Sequence, residues 1–217
     1  MVDYAAARTK MVDGQIRPND VTDHRIIAAM LAIPREAFVP ASLKPLAYLD
    51  RDVVLAGGRA MLQPMVLAKM VQAAEIGASD VVLDVGCATG YSSALIARLA
   101  SSVVAVEEST ELANTAGDVL QTLGFDNVAV VEGALKDGLA AEGPYDVIVI
   151  EGAVEVFPDK IAAQLKDGGR LVVIEGLGGS ARAMLYVRSG PDLSGRVIMN
   201  AAAHLLPGFA REPAFVF

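Results

Sequence analysis

The sequence predicts an α/β protein with a mainly parallel, seven-stranded β-sheet, and residues 81–107 carry this prediction. They begin with the apolar run VVLDV, which is typical of a parallel strand buried on both faces. A glycine loop follows, then apolar residues at helical spacing, and then a second β-branched run, VVAVE. Strand, loop, helix and strand in this order form a βαβ crossover, which places two parallel strands in one sheet.

The rest of the chain supplies the other strands. Strand 81–85 is expected near the centre of the sheet, with helices on both faces. A crossover helix is predicted at residues 157–165, and residues 214–217 could add a short terminal strand. An antiparallel pair with a long, seven-residue loop is predicted near the end of the chain. The remaining predicted strands are residues 127–131, 145–150, 170–174, 183–188 and 196–201.

The first 75 residues predict a helical extension packed on a sheet domain that spans residues 76–217, the two forming one compact unit. Asn19, Asp20 or Thr22 can cap a helix whose apolar residues share one face, and Pro34 follows its end. Prolines divide residues 34–50 into turns and short helical pieces.

Composition excludes several classes of function. No apolar run approaches the roughly 20 residues of a membrane span, and the N-terminus shows no signal-peptide pattern. The net charge of -8 leaves no overall basic surface, so a nucleic-acid partner is not expected. A single cysteine fits a reducing, cytoplasmic location. Neither His24 nor His204 has partners at metal-ligand spacing, so no metal is expected; the oligomeric state is not predicted.

The glycine loop and Glu107 predict a ligand site. In a parallel sheet both lie at the carboxyl edge, where open α/β sheets bind ligands. Glu107 follows Gly86 by 21 residues, about the distance at which an acidic side chain binds ribose hydroxyls. The loop GCATG does not match G-x-G-x-x-G, and there is no P-loop lysine, so the pattern does not predict a pyrophosphate site. An ordinary buried βαβ loop is the alternative.

Two sets of motifs carry a resemblance to a known family. D-x-G-x-x-x-G after a strand, with an acid at the end of the next strand, resembles the class I S-adenosylmethionine-dependent methyltransferases. PREAFVP, LAYLD and the G-x-x-x-x-QP pattern of residues 58–64 resemble the protein-L-isoaspartate O-methyltransferase family, as do residues 127–173. The resemblance covers roughly residues 11–176. It implies a Rossmann-like fold, S-adenosylmethionine as cofactor with S-adenosylhomocysteine as product, and methylation of isoaspartyl carboxylates in damaged proteins, a cytoplasmic repair function.

The resemblance also implies the residues of the site. Asp84 would receive the ammonium of the cofactor, directly or through water. Cys87 is better interpreted as a small residue in a crowded turn than as a reactive thiol. The predicted cofactor-binding residues are Asp84, Gly86, Cys87, Ala88, Gly90, Glu107, Gly133, Ala134, Leu135 and Glu151. The predicted substrate-binding residues are Arg59, Ala60, Met61 and Leu62, although Met61 could instead fill a gap in the core.

Departures from the family pattern touch both halves of this site. The family's loop reads close to G-Q-T-I-S-Q-P, so Ala60 and Leu62 replace two hydroxyl side chains. Arg59 could hold a carboxylate bidentately in their place, or could be a solvated surface arginine. Ala134 replaces an aspartate that accepts a hydrogen bond from adenine. Ala88 replaces a glycine of the loop, and Glu151-Gly152 replaces Thr-Ala.

No catalytic acid or base is predicted. A sulfonium methyl is already a strong electrophile and an acceptor carboxylate is ionised at neutral pH, so placement and exclusion of water carry the rate. Two other functions remain open on the sequence. One is a methyltransferase for a different acceptor, and the other is a non-catalytic binding or assembly protein that keeps the fold.

Overall fold

The computed structural model describes residues 2–212, so the strand predicted at residues 214–217 lies outside the described residues. The α-helices are α1 (Tyr4–Met11), α2 (His24–Ala32), α3 (Pro64–Ala73), α4 (Tyr91–Ala97), α5 (Thr110–Thr122) and α6 (Asp159–Ala162). The strands are β1 (Val53–Val54), β2 (Ala60–Met61), β3 (Val81–Val85), β4 (Ser102–Glu107), β5 (Val128–Glu132), β6 (Tyr145–Val154), β7 (Leu165–Glu175), β8 (Arg182–Ser189) and β9 (Asp192–Asn200).

The main sheet has seven strands in the order β5-β4-β3-β6-β7-β8-β9. The strands from β5 to β7 are parallel, whereas β8 and β9 pair antiparallel. β3 lies inside the sheet, as its unbroken apolar run predicts for a strand covered on both faces. The predicted α/β fold, a mainly parallel seven-stranded sheet with helices, is therefore confirmed.

Two predicted elements differ from the structure. The seven-residue loop between the antiparallel strands is wrong, because Ser189 pairs with Asp192 across a two-residue turn at Gly190, whose φ of +57° favours glycine. The crossover helix predicted at residues 157–165 is a single turn, α6. It ends early because the Gln164 carbonyl accepts the Tyr145 N–H (2.8 Å), which starts the pairing with β6.

The predicted N-terminal helical extension is present as α1, α2 and short 3-10 pieces. Asp23 caps α2, in place of the three candidates, by accepting the Arg25 N–H (2.8 Å). The N–H groups of Thr22 and Asp23 both donate to Gln72 Oε1 of α3, at 2.7 and 3.0 Å, and this fixes where α2 begins. Residues 53–61 contain the unpredicted hairpin β1–β2, which carries three of the four predicted substrate-binding residues, and Leu62 follows directly after it.

The core has two parts, one on each face of the sheet. The first joins the extension to the sheet, since Met11, Ile26 and Phe38 belong to the same buried cluster as Val82 and Leu95. The second is covered by α6 and the segment at residues 205–209. The division at residue 75 stays a prediction. Among residues 2–212, none of the helices is long and apolar enough to span a membrane.

Candidate cofactor and acceptor site

The loop between β3 and α4 turns sharply because several of its residues adopt left-handed backbone conformations. Gly86 has φ +80° and Gly90 has φ +93°. A Cβ at Gly90 would lie 3.1 Å from the Leu120 side chain, so glycine also allows α5 to pack closely. Ala88 has φ +51°, a conformation that costs a residue with a Cβ about 1–2 kcal/mol. The loop therefore stores strain at position 88, where alanine replaces a glycine of the family pattern.

Glu107 ends β4 next to this loop, as predicted, and its buried carboxylate is fully hydrogen-bonded. Oε2 accepts the Ala88 N–H (2.8 Å), which holds the strained residue in place. Oε1 accepts the N–H groups of Glu108 (3.0 Å) and Ser109 (3.2 Å). Arg59 supplies the remaining partners, with Nη2 2.9 Å from Oε2 and Nε 3.2 Å from Oε1. Both carboxylate oxygens thus have protein donors.

Arg59 reaches Glu107 from the tip of the β1–β2 hairpin. Gly57 and Gly58, with φ of +64° and +73°, form the turn, and the Leu55 N–H donates to the Arg59 carbonyl (2.8 Å). The Arg59 side chain is 4% exposed, and its guanidinium also donates to the Gly86 carbonyl (2.8 Å). The structure therefore buries Arg59 and joins it to two residues predicted for the cofactor, whereas the sequence places it with the acceptor residues.

Asp84, inside β3, is buried beneath the loop. Its Oδ2 accepts hydrogen bonds from Ser92 Oγ (2.9 Å) and Ser93 Oγ (2.6 Å), two partners in the first turn of α4 that the sequence analysis missed. Its Oδ1 has no hydrogen-bond partner among residues 2–212. Burial raises the pKa of Asp84 to about 6. The role predicted for this carboxylate, toward an ammonium group, stays a prediction.

The loop after β5 brings two more predicted residues to the site and leaves one at its edge. The Gly133 N–H donates to the Glu107 carbonyl (3.0 Å). Leu135 is fully buried, with Cδ1 3.6 Å from the position that a Cβ on Gly86 would take. Ala134 lies between them and is exposed, and its methyl group offers no hydrogen bond.

Leu206 fills space that the sequence analysis assigned to no residue. The chain after β9 returns beside the end of β6, where the Leu206 N–H donates to the Ala153 carbonyl (2.9 Å). A Cβ on Gly152 would lie 2.7 Å from the Leu206 side chain, and a Cβ on Gly86 would lie 3.3 Å from it. The glycine at position 152 therefore makes room for Leu206. The C-terminal segment carries no motif that could have revealed this contact.

The predicted acceptor residues lie directly beside the loop. Ala60, Met61 and Leu62 are all buried. Arg35 holds their backbone, because its Nη2 donates to the Leu62 carbonyl (2.7 Å) while its guanidinium lies 4.5 Å from the centre of the Tyr91 ring. The N-terminal extension thus positions the predicted acceptor segment, and the sequence alone did not predict this role of Arg35.

Glu151 and Cys87 are both buried and line the same cavity. Glu151 Oε1 has no hydrogen-bond partner among residues 2–212, and burial raises the pKa of this carboxyl well above its usual range. The negative charge of Asp84 adds to that increase. Burial also raises the pKa of the Cys87 thiol, which keeps it protonated and supports its interpretation as a small packing residue.

The cavity beside the glycine loop is much too small for the predicted cofactor. Glu151, Leu62, Tyr91 and the glycine loop line a cavity of about 10 Å³, about enough for one water molecule. The guanidinium of Arg59 lies against the carboxylate that was expected to bind ribose, and Leu206 lies over Gly86. S-adenosylmethionine therefore does not fit this arrangement of side chains.

We predict that ionisation of Asp84 lowers the stability of the folded protein as the pH rises. Its raised pKa means that the folded state binds more protons than the unfolded state between about pH 4 and pH 6. The free energy of unfolding should fall by about 2–3 kcal/mol across that window. Asp84→Asn, which cannot ionise, should lack this loss. Urea unfolding of both proteins at about pH 4 and pH 7 checks the difference; equal pH dependence would contradict the assignment.

Comparison with known proteins gives the chain its family. The family pattern described as Protein-L-isoaspartate(D-aspartate) O-methyltransferase matches residues 6–204. A protein-L-isoaspartate O-methyltransferase of Koribacter versatilis (strain Ellin345) is 41% identical over 170 residues, which are 78% of this chain and 77% of the relative. The protein of the same name from Methanoculleus marisnigri (strain ATCC 35101 / DSM 1498 / JR1) is 41% identical over 165 residues, 76% of this chain and 75% of the relative.

Solved structures agree. One named protein-L-isoaspartate O-methyltransferase has a TM-score of 0.80 and 30% identity; the match covers 93% of this chain and 66% of that one. A Plasmodium falciparum structure in complex with S-adenosyl-L-homocysteine has a TM-score of 0.78 over 95% of this chain and 99% of that one, and at 14% identity it shows the fold alone. The predicted family and its fold are confirmed: the chain belongs to the protein-L-isoaspartate O-methyltransferase family.

Proposed function

We propose that the protein methylates a carboxylate of isoaspartyl residues in proteins or peptides, as the names of its relatives state. The observation that carries this proposal is the buried Glu107 held against the tight loop of residues 86–90, beside the residues that the sequence predicts to bind the acceptor. The acidic net charge of -8 supports a protein or peptide acceptor over a nucleic acid. Protein repair and a cytoplasmic location, the latter supported by the single, buried cysteine, belong to the same proposal.

The acceptor segment is poorly suited to a carboxylate. Ala60 and Leu62 are 5% and 3% exposed, and neither side chain can donate a hydrogen bond. Arg59, the cation of this segment, is already bonded to Glu107. An acceptor carboxylate placed here would lose water without gaining a partner, which is costly. We therefore expect slow transfer to isoaspartyl peptides.

Restoring the two hydroxyls should raise the rate. We expect the parent to methylate an isoaspartyl peptide more slowly than about 1 per second. We expect Ala60→Thr with Leu62→Ser to increase kcat/KM by about tenfold or more, since a hydrogen bond to a charged group contributes about 1.5–3 kcal/mol. The assay compares both proteins on one isoaspartyl peptide, with the aspartyl peptide as a blank.

Val187→Thr is the matched control, because it adds a hydroxyl at a position that is 39% exposed in β8, away from the site. A parent that already turns over at 1 per second or faster would show that the missing hydroxyls do not limit the reaction. If neither the parent nor the double variant reacts while both bind cofactor, a different acceptor becomes the better proposal. A protein that binds no cofactor in either form would favour the non-catalytic alternative.

Glu151 favours a second candidate function, methyl transfer to a neutral amine, whose nitrogen gives up a proton that the Glu151 carboxylate can accept. Its unpartnered Oε1 lies in the wall of the cavity that Leu62 also lines, where it can accept a hydrogen bond from an N–H or O–H group. The same carboxyl group would repel a carboxylate whenever it is ionised. Threonine, the residue of the family pattern, carries no such charge.

Glu151→Thr separates the two candidates. If the acceptor is a carboxylate, the variant should methylate the isoaspartyl peptide about tenfold faster, because it lacks the acidic group that repels a carboxylate whenever it is ionised. If the acceptor is an amine, the parent should methylate an amine-bearing peptide and the variant should lose that activity. Glu142→Thr, at an exposed carboxylate, is the control. No change of either activity would remove Glu151 from the acceptor site.

A further inference from the structure

We infer that Arg59 is a built-in competitor for the nucleoside site: its guanidinium occupies Glu107, and a ligand binds only by displacing it. This inference deepens the proposed function, since it concerns how the same site receives its cofactor. The site is closed by the protein's own side chains.

The contacts show that Arg59 takes the place of a polar ligand. Two nitrogens of one guanidinium donate to the two oxygens of Glu107, at 2.9 and 3.2 Å, the arrangement in which a ribose diol would donate two hydroxyls. The Nη2 nitrogen also donates to the Gly86 carbonyl and lies 2.8 Å from where a Cβ on Gly86 would be. The guanidinium therefore covers the glycine that allows close backbone approach to a ligand.

Charge explains why Arg59 stays there. Asp84, Glu107 and Glu151 are three buried acidic groups within one site, and Arg59 and Arg35 are the buried cations near them. Arg59 lowers the pKa of both Asp84 and Glu151, against the larger effect of burial. A ligand that displaces Arg59 must offer Glu107 new hydrogen-bond donors and compensate the lost positive charge. The apparent affinity for the ligand is therefore reduced in proportion to the fraction of protein in which Arg59 has left Glu107.

The hairpin gives Arg59 a way to leave. β1 and β2 pair over only two residues each, and Gly57 and Gly58 stand directly before Arg59. Neither glycine has another atom within 4 Å of a Cβ built on it, so the turn is unobstructed. Glu107 keeps three backbone N–H donors after Arg59 has gone, and these prevent the carboxylate from being left without partners.

Calorimetry with S-adenosylhomocysteine tests the inference without methyl transfer. The variant is Arg59→Gln, which is the residue of the family pattern at this position and cannot form the ion pair. We expect Arg59→Gln to bind S-adenosylhomocysteine at least about tenfold more tightly than the parent. Arg17→Gln, which removes an exposed arginine paired with Asp13, should bind like the parent.

Equal affinity of the parent and a folded Arg59→Gln would overturn the inference, and so would a folded variant that does not bind at all. Should Arg59→Gln fail to fold, Arg59→Lys keeps a positive charge for Glu107 with one nitrogen in place of two. Arg59→Lys should bind S-adenosylhomocysteine severalfold more tightly than the parent, and equal affinity would also overturn the inference. An Arg59→Gln protein that binds tightly but methylates no isoaspartyl peptide would count against the proposed function alone.

Discussion

The buried ion pair between Arg59 and Glu107 is the interaction on which the site depends. It joins three elements that are distant in sequence: the β1–β2 hairpin, the loop after β3 and the end of β4. Such a pair is costly to desolvate, and it is stable here because each carboxylate oxygen also accepts backbone N–H groups. Removing one partner of a buried pair typically costs about 3–5 kcal/mol, so the hairpin and the loop hold each other in this arrangement.

The site buries more acidic side chains than arginines, and this imbalance determines its charge. Arg35 donates hydrogen bonds to the carbonyls of Ala47 and Leu62, at 2.7 Å each, and so fixes the predicted acceptor segment. Arg59 is the guanidinium bonded to a carboxylate of the site. Glu151 has an oxygen with no partner among residues 2–212, and burial raises its pKa strongly. The side that the sequence predicts for the acceptor is thus apolar and acidic, which disfavours an incoming carboxylate as long as Arg59 remains on Glu107.

Periodicity and motif order predict much of this structure because they report local physics. The run VVLDV and the glycine loop predicted β3, its interior place in the sheet and the approach of Glu107 to the loop. Contacts between distant segments leave no such pattern. Leu206 lies against Gly86 and Gly152, and the C-terminal segment that carries it contains no motif. Arg59 forms an ion pair with Glu107 inside the protein, whereas the sequence suggested a contact with substrate or solvent. The glycine at position 152 departs from the family pattern, and the packing of Leu206 explains it.

The most direct test of this account is a crystal structure of the protein grown with saturating S-adenosylhomocysteine. The account predicts that the ligand's ribose hydroxyls donate to Glu107 and that the Arg59 guanidinium has left hydrogen-bond distance of that carboxylate. A bound nucleoside beside an unbroken Arg59–Glu107 pair, with the same 2.8 Å contact to the Gly86 carbonyl, would contradict it.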